Sequence, residues 1–310
     1  MFVLRRLLRF AAGLAALMAA TFAMIHLIPG DPVRAALGPQ APPDLIAARR
    51  AALGLDDSLV RQFLDYVGGV LAGDFGTSFL SGEPVGQIVM DRLPNTLSLA
   101  VLATLVSLLV GVPLGLWAAI RTENGRNRGT EVGFTTGTGA AVAVPEFLYS
   151  IALVVVFAVV LGWLPPAGKA GALSYLLPVA ALSIGPAALI ARLVRAETAR
   201  ELGKDYVRLA RAKRLPAARV HLGHVLPNAL TATLTTGGLL LGGLIAGSVL
   251  VESVFAWPGL GMRMTEAITQ KDFPVAQGVI LVYGAIVLVV NTAVDLALAV
   301  LDPKSTIKES

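Results

Sequence analysis

Cysteine is absent from the 310 residues, which excludes a disulfide framework and any thiolate metal site. Charge is scarce too. Asp, Glu, Lys and Arg make up 15% of the chain, against about 25% in soluble domains. No phosphate-cradling loop is present. LGKDY and AGKAG each place Lys after Gly, but neither Ser nor Thr follows, so the sequence points to an energy source on another chain. The Ser/His or HExxH grouping of an intramembrane enzyme is missing as well. The single histidine inside a hydrophobic run is His26, near the end of that run.

What the chain does hold is apolar sequence: 55% hydrophobic residues and a mean hydropathy of +0.75. A soluble fold of this length would expose too much of it, so the composition is that of a polytopic membrane protein. Charge-free runs long enough to span a bilayer fall near 9–29, 96–120, 139–162, 173–194, 229–250 and 276–299. An all-α membrane protein of six transmembrane helices is expected. The first run follows Arg5, Arg6 and Arg9 and continues from Phe10 to Gly30. That is longer than the 7–15 apolar residues of a cleaved signal, so it reads as a retained first span. Pro113, Pro145, Pro178 and Pro186 are expected to interrupt spans 2, 3 and 4. Small residues at 238/242 and 243/247 in GGLLLGGLIAG mark span 5 as a packing seam.

Between spans 1 and 2 lies a polar insert, 31–95. It contains the Pro-rich GPQAPPD and the helix-like DDSLVRQFLDYVGGVLAG. There Leu59, Phe63, Tyr66 and Val67 share a face at helical spacing.

Basic residues set an orientation. With the N-terminus inside, 17 Lys and Arg lie in the inner segments: three before span 1, three in 121–131, nine in 192–224 and two after 300. The outer segments hold eight, with 11 acidic residues. Both termini and the 192–228 loop are therefore expected on the cytoplasmic side.

That loop contains DYVRLARAKRLPAARVHLGHVLPNAL, Asp205 to Leu230. Its basic residues cannot enter the bilayer, where each would cost about 2.5–3.5 kcal/mol at mid-depth. Leu202, Tyr206, Leu209 and Ala210 recur at helical intervals, predicting an amphipathic helix. The residue before a proline leaves the α region, so a break is expected at Leu215-Pro216. A second short helix should start at Pro216 and stop before Pro227. A tethered loop without an aromatic stacking platform does not suit nucleic acid. His221 and His224 have no carboxylate or cysteine near them in sequence, so a structural role is expected rather than a metal site.

The loop resembles the EAA loop of bacterial ABC importer permeases, in which EAA…G is followed nine residues later by IxLP. Arg208-Leu209-Ala210 stands at the EAA position and His224-Val225-Leu226-Pro227 at the IxLP position. DYVR.ARAK is the form of the dipeptide/oligopeptide/nickel branch. Arg214 stands where that family usually has Gly, so the corner would be made differently, for instance by Pro216, or the docking altered. Further motifs follow in family order: LRRLLRF…HLIPGDPV, LGLDDSLVRQFLDYVGGVLAGDFGTSFLSGEPV, RLPNTLSLA, GVPLG, LGWLPPAG, ESVFAWPGLGMRMTEAITQKDFPVAQG and NTAVDLALAVLDP.

The resemblance implies the ABC type I importer permease fold. Residues 1–310 would form one transmembrane permease domain, with 31–95 as an extracytoplasmic insert and 202–228 as a cytoplasmic coupling loop. It implies a bacterial inner-membrane protein that is not itself an enzyme and carries no cofactor or metal. Its partners would be a second homologous permease, two cytoplasmic ABC ATPase subunits, an extracytoplasmic substrate-binding protein and membrane lipid. Tyr206, Arg208, Leu209, Ala210, Ala212, Arg214 and Leu215 would dock the ATPase. Glu252, in VESVF beside AWPGLG with its Trp257, ranks first for the translocation path or outer gate, with Glu146 and Asp295 as further candidates. Asp295 also reads as a structural partner for a basic residue at the inner end of span 6, one turn after Asn291. Short peptides are the expected cargo, with nickel chelates, glutathione or another small solute as alternatives. A secondary transporter driven by an ion gradient would show inverted repeats, and the two halves show none.

The orientation predicts that single cysteines at positions 126 and 208 label with an impermeant thiol reagent only after the cytoplasmic side is opened. Cysteines at 38 and 271 should label from outside. Labelling of position 208 from outside would overturn the six-span topology.

Overall fold

The computed structural model describes residues 2–27, 33–34, 38, 40–52 and 54–301; side chains at 2–4, 25, 49, 52, 231–241, 245–246, 295 and 297–301 lie outside that description. The proposed Pro-Gly-Asp-Pro exit of span 1, the side chain of Asp295 and half of the span 5 glycine seam therefore fall outside it. Among the described residues the chain is helical and contains no strand, only an isolated antiparallel bridge between Thr77 and Pro84.

The helices are α1 (Phe2–Leu27), α2 (Pro43–Ala52), α3 (Leu59–Leu71), α4 (Val85–Arg121), α5 (Arg128–Ala143), α6 (Glu146–Leu153), α7 (Leu176–Leu202), α8 (Asp205–Ala212), α9 (Leu226–Val254), α10 (Leu260–Thr269) and α11 (Phe273–Leu301). Four stretches are long and apolar enough to cross a membrane: Arg5–Met24, Val85–Arg121, Ala172–Leu202 and Phe273–Val294. The pair α5 and α6, bent by 95°, would make a fifth if counted as one span.

One expectation needs correction here, that all four prolines interrupt their spans. Pro145 does interrupt span 3. Val144 is extended, at φ −82° and ψ 124°, as the residue before a proline prefers, and the chain turns sharply at Pro145. Pro113, Pro178 and Pro186, in contrast, sit within continuous helices. Pro178 lies in the first turn of α7, where its missing N–H leaves no bond wanting. The end of the segment 31–95 is helical, because α4 already begins at Val85 and takes in its last eleven residues.

The chain divides into two compact units. One comprises Met1–Leu97 and Ala256–Val289. In it, α3 lies on α1 through aromatic rings. Phe63 meets Phe22 edge-on at 5.2 Å, and the Tyr66 hydroxyl stands 2.9 Å from that of Thr21. Leu59, expected on the same face, is 60% exposed. The corner before α11 is fixed by Asp272, which is fully buried. Its carboxylate accepts from the Ser78 hydroxyl at 2.5 Å and the Phe79 N–H at 3.0 Å, with the Arg263 guanidinium at 3.6 Å. A buried carboxylate is tolerated when it is paired in this way.

The other unit comprises Ser98–Phe255 and Val290–Ser310, with α7 at its centre. α4 crosses α7 at Gly111 and Gly115. A Cβ at Gly111 would come 2.7 Å from the Ala187 carbonyl, and one at Gly115 would strike the Ala191 carbonyl and the Val194 Cβ. The two backbones can approach this closely only because the side chains are absent. Next to this crossing, the Ser107 hydroxyl, which donates to Ala103 O of its own helix at 2.7 Å, lies 3.3 Å from the Ser183 carbonyl, and the Ser183 hydroxyl, which donates to Val179 O, lies 3.2 Å from the Ala103 carbonyl.

Gly115→Ala is expected to destabilise the detergent-solubilised chain by about 1–3 kcal/mol, the cost of overpacking a tight contact. Gly129→Ala, whose Cβ would meet nothing within 4 Å, should not. Thermal unfolding of the two variants checks the difference.

Candidate functional site: the corner between α7 and α9

α7 ends at Leu202, and the chain breaks at Gly203 and an extended Lys204. α8 then begins at Asp205, an acidic residue suited to a helix N-terminus. The break resets the helical register. Val207, fully buried, and Ala210, 7% exposed, face inward and form a small core with Leu202, Val220 and Val225, against which Leu215 packs. Leu209 is 58% exposed. The expected face of Tyr206, Leu209 and Ala210 is therefore split: Ala210 supports the corner from inside, and Leu209 is presented outward.

The turn itself is made at Arg214, with φ +56°. That is the left-handed conformation glycine adopts freely and a side-chain-bearing residue adopts at a cost of about 1–2 kcal/mol. Arg214 thus keeps a glycine-like turn, and Pro216 does not replace it. Beyond the turn, the second helix does not stop before Pro227. Residues 219–225 form a π-helical segment that runs directly into α9. Pro227 therefore lies inside a continuous helix, and the π winding just before it is the kind of local adjustment by which a helix carries a proline.

Three polar contacts hold the corner. Glu201, 7% exposed, accepts from Lys204 Nζ at 2.6 Å and from the Tyr206 hydroxyl at 2.6 Å. Asn228 Nδ2, at the start of α9, donates to the Tyr206 oxygen at 3.3 Å and to the His224 carbonyl at 2.7 Å. Tyr206 thereby joins the last turn of α7 to the first turn of α9. Removal of its hydroxyl from water, and then the hydrogen bond and charge of Glu201, push the phenol pKa up, so it remains a donor at neutral pH. The third contact is a two-pronged ion pair between Arg211 and Glu123, at 2.8 and 3.1 Å, which ties α8 to the loop between α4 and α5. Burial first, and then the Arg211 charge, lower the pKa of the nearby His221, so that ring is neutral at pH 7.

Of the expected docking residues, Arg208, Leu209, Ala212 and Arg214 are exposed, and Tyr206 presents a ring that is 36% exposed. Leu222, also 57% exposed, lies on the π segment. Arg208 makes only an exposed pair with Asp205 at 3.3 Å, a contact of little energy. Sequence reasoning missed Glu201, Asn228 and Glu123. A glutamate five residues before a tyrosine has no recognisable spacing, and Glu123 is 88 residues from its partner.

The path candidates separate. Glu252, fully buried, accepts from Ser248 Oγ at 3.2 Å near the end of α9. The Glu146 carboxylate lies against Gly247 of the same helix, where a Cβ would come within 2.7 Å of it. Two carboxylates thus meet one stretch of α9. Trp257, by contrast, is fully buried in the other unit. Its indole N–H donates to the Asn95 carbonyl at 3.2 Å, while Asn95 Nδ2 donates to Pro258 at 2.7 Å and the Leu260 N–H donates to Thr96 Oγ1 at 2.8 Å. It anchors its loop and does not line an opening. Asn291 Oδ1 is buried without a hydrogen bond. Among the described residues no three His, Cys, Asp or Glu groups are placed to hold a metal ion.

Comparison with known proteins agrees with this architecture. The family described as "Binding-protein-dependent transport system inner membrane component" matches residues 111–307, and its N-terminal companion matches 1–100. The glutathione transport system permease protein GsiC of Salmonella choleraesuis (strain SC-B67) is 37% identical over 302 residues, 97% of each chain. GsiC of Escherichia coli (strain K12) is 36% identical over the same share. Among solved structures, the inward-facing MetNI methionine ABC transporter superposes in two crystal forms. The TM-scores are 0.55 and 0.57 at 19% and 17% identity, covering 70% of this chain and 97% of that one. This likeness establishes the fold alone.

Arg214→Gly is expected to stabilise the chain by roughly 0.5–1 kcal/mol. Relief of the left-handed strain exceeds the extra freedom glycine has in the unfolded state. Arg214→Val should destabilise it. Thermal unfolding of both variants in one detergent checks the sign.

Proposed function

Because the chain belongs to the family of binding-protein-dependent transport system inner membrane components, in the dipeptide and oligopeptide branch of ABC importer permeases, we propose that it forms one half of a pore carrying short peptides. It is the permease subunit of an ABC importer in the bacterial inner membrane. Work with an ATPase and a substrate-binding partner is implied by the family. The pore is completed by a second, homologous permease. Two cytoplasmic ATPase subunits hydrolyse ATP, and an extracytoplasmic protein delivers the cargo.

The topology that serves this function has six spans: the four long helices, the bent α5–α6 pair and the 29-residue α9. Both termini and the α7–α9 corner lie in the cytoplasm. The observation that supports coupling is the build of that corner. An eight-residue helix rests on its own small core, is clamped to the loop after α4, to α7 and to α9 by named polar contacts, and presents Leu209 outward. In this reading α8 sits in a groove of the ATPase, and movement of the groove passes through Tyr206 and Arg211 to three helices. Only differential contact in two states can shift such an equilibrium, and the exposed residues of α8 supply that contact. Glu146 faces the path, where a carboxylate suits the ammonium of a peptide, and the fully buried Glu252 supports the same stretch of α9.

Glutathione is a second reading, supported by the GsiC relatives; it is itself a tripeptide. Uptake by the reconstituted transporter of a dipeptide, a tripeptide and glutathione, each delivered by the cognate binding protein, separates the two.

Leu209→Asp would bury an unpaired carboxylate against the ATPase, costing on the order of 2–5 kcal/mol of association. The chain should insert and melt normally but lose its ATPases on purification. Ala210→Asp should instead lower the melting temperature, because the carboxylate enters the internal core. Copurification of Leu209→Asp at wild-type levels would overturn the docking reading.

A further inference from the structure

The second unit carries an apolar groove that the transport reading does not use. It has a volume of about 530 Å³ and is bounded by Val110, Leu114 and Trp117 on α4, Gly133 and Gly137 on α5, and Ile184 on α7. No charged side chain lines it. A Cβ on either glycine would meet nothing within 4 Å, so the floor is open.

Charge gathers at one end only. Arg121, the last residue of α4, holds its guanidinium 6.0 Å from the ring centroid of Trp117. Arg126 and Arg128 follow in the connection to α5. The two carboxylates of that region are already engaged, Glu123 by Arg211 and Glu131 by Arg195 at 2.7 Å. Among the described residues none of the three arginines has an acidic partner. The groove is thus hydrocarbon along its length and cationic at its mouth, with a half-exposed indole at the junction, the amphipathic ring favoured at a membrane interface.

We propose that this groove is a binding site for an anionic phospholipid, with an acyl chain lying between α4, α5 and α7 and the phosphate held by Arg121 and Arg128. A helix from another subunit is the rival occupant. Charge favours the lipid, because an apolar helix would bring no anion to the arginines at the mouth, whereas a phosphate does. Chain burial cannot supply selectivity, because bilayer and groove are equally apolar. The headgroup must supply it, so the site distinguishes lipids by charge.

The chain has three tryptophans, so Trp117 can report occupancy by its fluorescence. The full chain is placed in nanodiscs, both alone and assembled with its ATPases and partner permease, and compared with Trp117→Phe to isolate that residue. Brominated phosphatidylglycerol should quench Trp117 at a lower mole fraction than brominated phosphatidylcholine, in both settings. Arg121→Gln and Arg128→Gln should each reduce this preference about fivefold. Gly137→Leu, which fills the open floor and leaves the arginines intact, should abolish the low-fraction quenching. Equal quenching by the two lipids would overturn the site. So would loss of Trp117 quenching on assembly, which would give the groove to a protein partner.

Discussion

The close crossing of α4 on α7 at Gly111 and Gly115 is the contact on which the rest of the second unit depends. In a bilayer, helices gain nothing from hydrophobic exclusion, so they associate through packing and a few hydrogen bonds. Two glycines four residues apart let the α4 backbone reach the carbonyls of Ala187 and Ala191. The second, longer reach of the Ser107 and Ser183 hydroxyls to carbonyls of the facing helix adds weak polar contact beside it. With α4 fixed on α7, the loop that follows α4 arrives beside the end of α7, and Glu123 is in place to meet Arg211. The geometry of the α7–α9 corner is set by a contact several turns away from it.

At that corner, polar and apolar forces have separate tasks. The core of Leu202, Val207, Ala210, Val220 and Val225 holds α8 against the protein but does not fix its direction. Direction comes from Tyr206, between Glu201 and Asn228, and from Arg211. Hydrogen bonds to a charged acceptor are the stronger kind, and Glu201 is buried enough to make its bonds count. Leu209 is then free to contribute to a partner and not to the fold.

The sequence disclosed the class of the protein and the place of the corner, because charge-free runs and clustered arginines depend only on transfer energy. It misled where two local rules competed. The apolar period was counted from Leu202 into Leu209, yet the break at Gly203-Lys204 puts Leu202 on a different helix. Arg214 was expected to shift the turn, yet the chain accepts the left-handed cost at that residue. Four prolines looked alike, but only Pro145 breaks a helix, since what lies around a proline decides whether its lost bond is tolerated. Asp272 carried no signal, because its partners Ser78 and Phe79 come from the far end of the insert.

The elbow at Pro145 has a consequence for the lipid around the protein. Its two limbs are α5, of 16 residues, and the run Glu146–Val160, of 15, in which α6 is followed by a π-helical segment, Val154–Val160; their lengths are roughly 24 Å and 20 Å, since π winding rises less per residue. The hydrocarbon layer is about 30 Å thick. With the limbs bent by 95°, the ends of the pair stand about 30 Å apart, so the pair crosses the layer with no slack and any thicker bilayer leaves a shortfall. Each ångström of such hydrophobic mismatch costs a fraction of a kcal/mol, a strain that grows with acyl chain length. Membrane thickness thereby becomes a physical variable acting on this transporter, independent of its cargo and of ATP.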